Sequence, residues 1–454
     1  MNMELHSWLN YGGCWLLVAA VVILVRLCGR LYLGFSVFTV LNIAIMNVSA
    51  FFIAKTFGLQ PVAEGPEYQV VYTYTIAGLL AFVFGVYLAW RPGLHQAAEN
   101  PFSRYKRLVP VIGVIGGVMM LFGALLPRVP SVSAVLHQLV RFVPLAAVGA
   151  ASRAMSRNDY HSLLFVAFIF FPVGMLSVVM TGFSGIMGAT MLHPFLIVLF
   201  YRGVSLWRVV AFGIVLYAFF FLAGLWFETR WMIREGTLND RAPVAKSIEY
   251  YGFLVQTMRN TGLGPRVIQA AAVHRVDLSG FNAAQVLWMP EGEPYSYGRS
   301  LIVDPVLALV PRLLWPGKPF VSGDSEFINR YTGLSFSNDS TSVDTNITFE
   351  FYANFGWPGV VVGLGFFGYL MGRLELLLFR PGNSIVRIFV LSIVLLSLSR
   401  GGRRAAALAL EVGSAVIAAY LFAKLAERFD WLRQRGGKKP LINGPRSALG
   451  RRPE

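Results

Sequence analysis

The sequence predicts an all-α polytopic integral membrane protein with about eleven transmembrane helices and one large extracytoplasmic loop. Three observations carry that reading. Hydrophobic residues make up 56% of the 454 while charged residues make up only 14%, against roughly 25% charged in a soluble domain. The apolar surplus falls in runs of about 18–22 residues, each long enough to cross about 30 Å of hydrocarbon. The basic excess, a net charge of +16, gathers in the short segments between those runs, where the positive-inside rule puts it.

The runs follow in order. The first, 8–25, comes after "MNMELHSW", which holds Glu4 and no Lys or Arg. With no small-residue cleavage site after "CWLLVAAVVILV", it reads as an uncleaved span rather than a signal peptide. The second, 31–53, follows Arg26 and Arg30. The third, 70–90, ends at Trp90 and is followed by the basic "RPGLHQAAENPFSRYKRL". Next come 108–126 and 134–152, the latter interrupted by His137 and Arg141 and followed by Arg153 and Arg157. Runs at 161–180, 183–200 and 209–227 complete the first block, with "YRGVSLWR" after the seventh. After a long polar interval come 358–378, the short 385–399 and 404–424. Trp90, Trp207, Trp226 and Trp357 fall at span ends, as an aromatic belt requires.

Basic segments follow the first, third, fifth, seventh, ninth and eleventh runs, so that side is read as cytoplasmic, with the N-terminus out and the C-terminus in. The chain then divides into spans 1–8 (1–227), a large periplasmic loop with amphipathic and re-entrant segments (228–357), spans 9–11 (358–426) and a basic cytoplasmic tail (427–454). The loop holds 11 Lys+Arg against 13 Asp+Glu. Positive charge here reports topology, and nucleic acid is not an expected partner. Within the loop "VAKSIEYYGFLVQTM" reads as an amphipathic surface helix and "SFSNDSTSVDTN" as a turn region.

Several chemistries lack a signature. The two cysteines, Cys14 and Cys28, build no disulfide framework or CxxC, and the six histidines include no HExxH. No P-loop or strand-linked GxGxxG is present, so no metal or cofactor is expected. Nucleotide donors are confined to the cytoplasm. An outer-face site therefore calls for a self-activated substrate such as a lipid-linked diphosphate, whose anionic head needs Arg or Lys near span ends.

Four stretches supply candidates. "YSYGRSLIVDPVLALVPRLLWPGKP" carries Tyr297, Arg299, Arg312 and Lys318 around an apolar segment, 301–310, that reads as dipping into the outer leaflet to a depth limited by Asp304. Pro311, Pro316 and Pro319 stiffen its backbone. "SLSRGGRR" sets Arg400, Arg403 and Arg404 between the last two runs, against the positive-inside rule. Arg141 is a charge inside a span and so a functional candidate by position, and Glu411 is a possible partner for it or for Arg400. In "TNITFEFYANFGWPGVVVGLGFFGYLMG", Glu350 and Asn354 share a helix face at i, i+4. Gly359/Gly363 and Gly368/Gly372 give two GxxxG spacings for close helix packing. Each has a plainer alternative: a lipid-anchoring basic loop, a misplaced span boundary, or a carboxylate at a helix start facing water.

Taken in order, these stretches resemble the oligosaccharide repeat-unit polymerases of the Wzy type. That family typically shows a tyrosine-glycine stretch, an IPR-x-x-WP-x-KP segment, a Y-x-NFG-x-x-G run leading into a span, and a late SRG. The resemblance covers about 110 residues directly, and departs at "RGGRR", where such proteins often carry an acidic residue. It implies a GT-C-like helical fold in a bacterial inner membrane. It also implies transfer of a growing glycan from undecaprenyl diphosphate onto the next lipid-linked repeat unit, without a cofactor. Arg312, Arg299, Arg400 and Glu350 would be catalytic. Lys318, Arg141, Arg403, Tyr297 and Asn354 would bind substrate. A chain-length regulator and a flippase would be partners, beside membrane lipid. The rival readings are an O-antigen-ligase-like transferase, a lipid-linked oligosaccharide flippase, and a non-catalytic subunit of an export complex.

Overall fold

A computed structural model describes residues 3–27, 34–48, 65–91, 108–122, 142–157, 278–310, 314–318, 324–335, 345–380, 383–399 and 404–428, with isolated positions elsewhere. Among these every regular element is helical: α1 (Met3–Leu27), α2 (Gly34–Asn47), α3 (Pro66–Trp90), α4 (Leu108–Phe122), α5 (Phe142–Arg157), α6 (Ser279–Trp288), α7 (Arg299–Leu309), α8 (Asp324–Thr332), α9 (Ile347–Leu378), α10 (Ile385–Leu398) and α11 (Ala405–Arg428). Four are long and apolar enough to cross a membrane, at Glu4–Val25, Pro66–Trp90, Ile347–Leu378 and Ala405–Lys424. This is the pattern of a multi-pass membrane protein.

Eleven helices are not the eleven expected spans. α6, α7 and α8 lie in the stretch expected as loop, whereas the spans at 161–180, 183–200 and 209–227 lie outside the described residues, isolated positions apart. The few described positions of the expected amphipathic helix, between 249 and 256, are helical. Of the expected fifth span, 134–152, the described part from Phe142 is helical, and α5 continues past it to Arg157, because "AAVGAASRAMSR" keeps helix-favouring residues beyond the apolar run. Pro144 sits in its first turn, where a missing N–H costs little.

The centre of the bundle is the pair α3 and α9, held together by glycines. A Cβ on Gly85 would stand 2.1 Å from the Gly365 carbonyl oxygen, and one on Gly368 2.2 Å from that of Phe82. A Cβ on Gly372 would meet Ala89. Backbones approach this closely only where side chains are absent, which is how helices associate without a hydrophobic drive between them. Of the two GxxxG spacings only Gly368/Gly372 serves this contact. Gly359 and Gly363 instead receive Phe355 and Phe351 of their own helix.

That self-contact arises from a break in α9. Gly356 has φ 66° and ψ −159°, a conformation open to glycine and strained for other residues. Pro358 follows and removes a ladder N–H. The segment before Gly356 folds back over the span after it, so Phe351 covers Gly363. Around the central pair, α1 and α2 flank α3, α4 packs on α5, and α10 on α11. Phe142, Phe389 and Phe422 join α5, α10 and α11 at ring separations of 5.0–5.3 Å. Near the far end of α9, the buried Glu375 accepts from the backbone N–H of Ser36 at 2.8 Å and from its hydroxyl at 2.7 Å, capping the start of α2.

Candidate functional site

The first segment of α9, residues 347–355, is buried on nearly every side, and polar groups position it. Asn346 caps its start, accepting from Phe349 N–H at 2.8 Å. Asn47, closing α2, takes Nδ2 of Asn282 at 2.6 Å and of Asn346 at 2.7 Å on its Oδ1, so one side chain pins α2, α6 and α9. Gln285 of α6 adds a donor to the Phe349 carbonyl at 3.1 Å.

The break at Gly356 and the proline at 358 strand the carbonyls of Ala353 and Asn354. Ser296 N–H donates to the first at 2.9 Å and Tyr297 N–H to the second at 3.2 Å. The tyrosine-glycine stretch therefore supplies the hydrogen bonds that the broken helix loses. Asn354 completes the junction: its Oδ1 accepts from Gly298 N–H at 2.8 Å, and its Nδ2 donates to Ser300 Oγ and to the Glu350 carbonyl, both at 2.7 Å. Gly298, at φ 88°, turns the chain into α7. Tyr297 and Arg299, both exposed, flank that turn.

On the other side of this segment lies Arg404, 1% exposed. Its Nη2 is 3.3 Å from Asp304 Oδ2 of α7, its Nη1 4.0 Å from Asp324 Oδ1 of α8, and its Nε 4.0 Å from Glu350 Oε1 of α9. The guanidinium lies 3.7 Å from the Phe327 ring centroid, so a cation–π contact covers one face. Glu350 is wholly buried, and its Oε2 accepts from Ala405 N–H at 2.5 Å. It does not face water. It caps α11 with negative charge where the helix dipole favours it. The carboxylates of Asp304 and Asp324 keep 18% and 25% of their side-chain surface exposed, so they are the acids a ligand can reach. At the rim, Arg330 Nε donates to Glu293 at 2.6 Å, which raises the Arg330 pKa above its ordinary value.

Lys318 is engaged elsewhere. Its Nζ donates to the carbonyls of Leu307 at 2.8 Å and Val310 at 2.9 Å, closing the C-terminal end of α7. These two bonds brace the end of α7. Arg141, Arg312, Arg400 and Arg403 lie outside the described residues, as does His137. Glu411 is buried in α11. Among the described residues, no three His, Cys, Asp or Glu side chains converge as metal ligands.

Behind the broken segment, Tyr352 tilts against Tyr74 of α3 with ring centroids 5.3 Å apart. Tyr74 also lines a cavity of about 480 Å³ with His6, Gln69, Val70, Thr73 and Trp357, a volume in the range of ligand pockets. Tyr74 thus links the cavity to the Tyr352 ring of the broken segment.

Residues 22–377 match a domain of unknown function (DUF8712). The chain belongs to this family. No curated protein matches the chain, and no solved structure does. The DUF8712 region contains Asp304, Asp324, Phe327, Glu350 and Asn354 but ends before α10 and α11, so Arg404 reaches the cluster from beyond it.

Asp324 was absent from the sequence-expected set, Asp304 was read there only as a limit on depth, and Arg404 was named beside Arg400 and Arg403 without a role. A signal existed: Asp304 interrupts an apolar run and Arg404 immediately precedes another. Opposite charges at the edges of apolar segments are expected to find one another.

Proposed function

We propose that this protein polymerises undecaprenyl-diphosphate-linked oligosaccharide repeat units at the outer face of a bacterial inner membrane. One observation carries the reading. Two of the stretches that resemble repeat-unit polymerases supply Asp304 and Glu350 to one polar cluster, and Arg404, just past the late SRG where the chain departs from that pattern, supplies its cation.

The chemistry suits that cluster. The acceptor sugar hydroxyl attacks the anomeric carbon, the bond from that carbon to the phosphate oxygen breaks, and the lipid diphosphate leaves with the electron pair. Preorganised cations stabilise the charge that develops on the leaving group. Arg299, exposed at the start of α7, is the described residue free to approach the diphosphate, and Arg312 and Arg400 are its expected companions. The hydroxyl proton passes to a carboxylate, for which Asp304 and Asp324 are accessible. Glu350, sealed from solvent, is a positioning residue that holds α11 and, through it, Arg404.

The test is Asp324→Asn and Asp304→Asn, singly and together, in cells whose surface glycan is displayed on a gel. With normal membrane insertion, the double variant accumulates single repeat units. Full-length glycan in the double variant would remove these carboxylates from the reaction. Single-unit glycan from cells lacking the gene altogether separates a polymerase from a ligase, whose loss leaves long chains on the carrier.

A further inference from the structure

α7 lies in the stretch expected as an extracytoplasmic loop, yet its neighbour is a spanning helix. Asp304 meets Arg404, the residue just before α11. Five residues on, Leu309 Cδ2 comes within 2.7 Å of where a Cβ on Gly413 would stand. Gly413 is the ninth residue of the apolar segment Ala405–Lys424, about 13 Å along the helix from Arg404 at 1.5 Å per residue. α7 therefore descends beside α11 to nearly the middle of its apolar length.

Apart from the Leu309 contact with Gly413, α7 presents an apolar and largely bare surface. Ile302, Val303, Val306 and Leu309 are 45–68% exposed and recur at helical spacing. Leu314 and Trp315, just past α7, are also exposed, as are Leu410 and Ile417 of α11, which lie on either side of Gly413 along that helix. Against water this would be an exposed apolar patch of the kind that marks an interaction surface. Continuity with a spanning helix selects acyl chains as the occupant. The single acidic residue of α7, Asp304, sits midway along it and is paired with Arg404.

Lys318 fits the same account. A helix ending inside hydrocarbon leaves carbonyls that no water can reach. Lys318 Nζ donates to two of them, Leu307 and Val310. We propose that α7 is a re-entrant half-span helix, embedded in the bilayer to the level of Gly413 with its apolar face against lipid chains, and that Lys318 is its intramembrane cap. This goes beyond the polymerase reading and stands or falls without it.

The experiment is site-directed spin labelling of the full chain in proteoliposomes, with Cys14 and Cys28 replaced by alanine. Single labels go at Arg299, Val303, Val306 and Leu309. Collisions with oxygen, which concentrates in the lipid, should exceed those with a water-soluble nickel chelate at 303, 306 and 309, increasingly with depth. At 299 the order should reverse. Chelate collisions dominating at all four positions would make α7 water-facing and overturn the proposal. Immobilised labels shielded from both relaxants would also overturn it, since protein or a second copy would then cover the face. Lys318→Met should raise label mobility at 306 while Lys318→Arg should not; unchanged mobility and depth in Lys318→Met would remove the capping role.

Discussion

The Ala405 N–H and Glu350 Oε2, 55 residues apart in sequence, meet at 2.5 Å and tie the first turn of α11 to the first turn of α9. A buried carboxylate is thereby spent on a helix N-terminus, and its replacement tests the joint. Glu350→Gln keeps an acceptor for the amide, whereas Glu350→Ala leaves the amide buried without one. The alanine variant should lose about 1–3 kcal/mol and the glutamine variant less, read as the order of unfolding temperatures in detergent.

Arg404 should be the most sensitive charged residue of the cluster. Its removal leaves Asp304 and Glu350 without their cation, and breaking a buried pair costs about 3–5 kcal/mol. Arg404→Met should therefore lower stability strongly. Combining it with Asp304→Asn should recover part of the loss, because the orphaned charge is gone. A double-mutant cycle on thermal unfolding measures that coupling.

Asn354 links three groups and has no isosteric substitute among apolar residues. Asn354→Ala strands the Gly298 N–H and frees the turn into α7, at an expected cost of about 1–3 kcal/mol. Limited proteolysis should then cut near Gly298 sooner than in the parent, before any cut appears within α9.

The α3–α9 contact predicts opposite outcomes for two glycines. Gly85→Ala forces a methyl onto the Gly365 carbonyl and should separate the helices, costing about 1–3 kcal/mol or more. Gly12 of α1 has nothing within 4 Å of its would-be Cβ. Gly12→Ala should be neutral or stabilising by up to about 1 kcal/mol through helix propensity. Unfolding temperatures of the purified variants compare the two directly.

The end groups of the helices separate what was readable from what was not. Spans such as 70–90 and 404–424 were legible to within a few residues of α3 and α11, because run length and composition act locally. α5 runs past the expected end at 152 because its second half is helical by propensity and not apolar, a distinction that hydropathy does not make. Glu350 and Asn354 were found as a pair on one helix face. Their alignment with the tyrosine-glycine stretch was not readable, since it depends on the break at Gly356 turning stranded carbonyls toward Ser296 and Tyr297.

Sequence alone determined that this chain is helical, apolar in spanning lengths, and concentrated in polar chemistry between Tyr295 and Arg404. Those properties follow from periodicity, length and charge placement, which need no partner. Tertiary structure alone decided which charges meet. It sent Lys318 to the end of α7, buried Glu350 against α11, and made Arg404 the cation shared by Asp304, Asp324 and Glu350. The Glu350 and Arg404 pairings join helices far apart in the chain, and a one-dimensional pattern carries no distance between them.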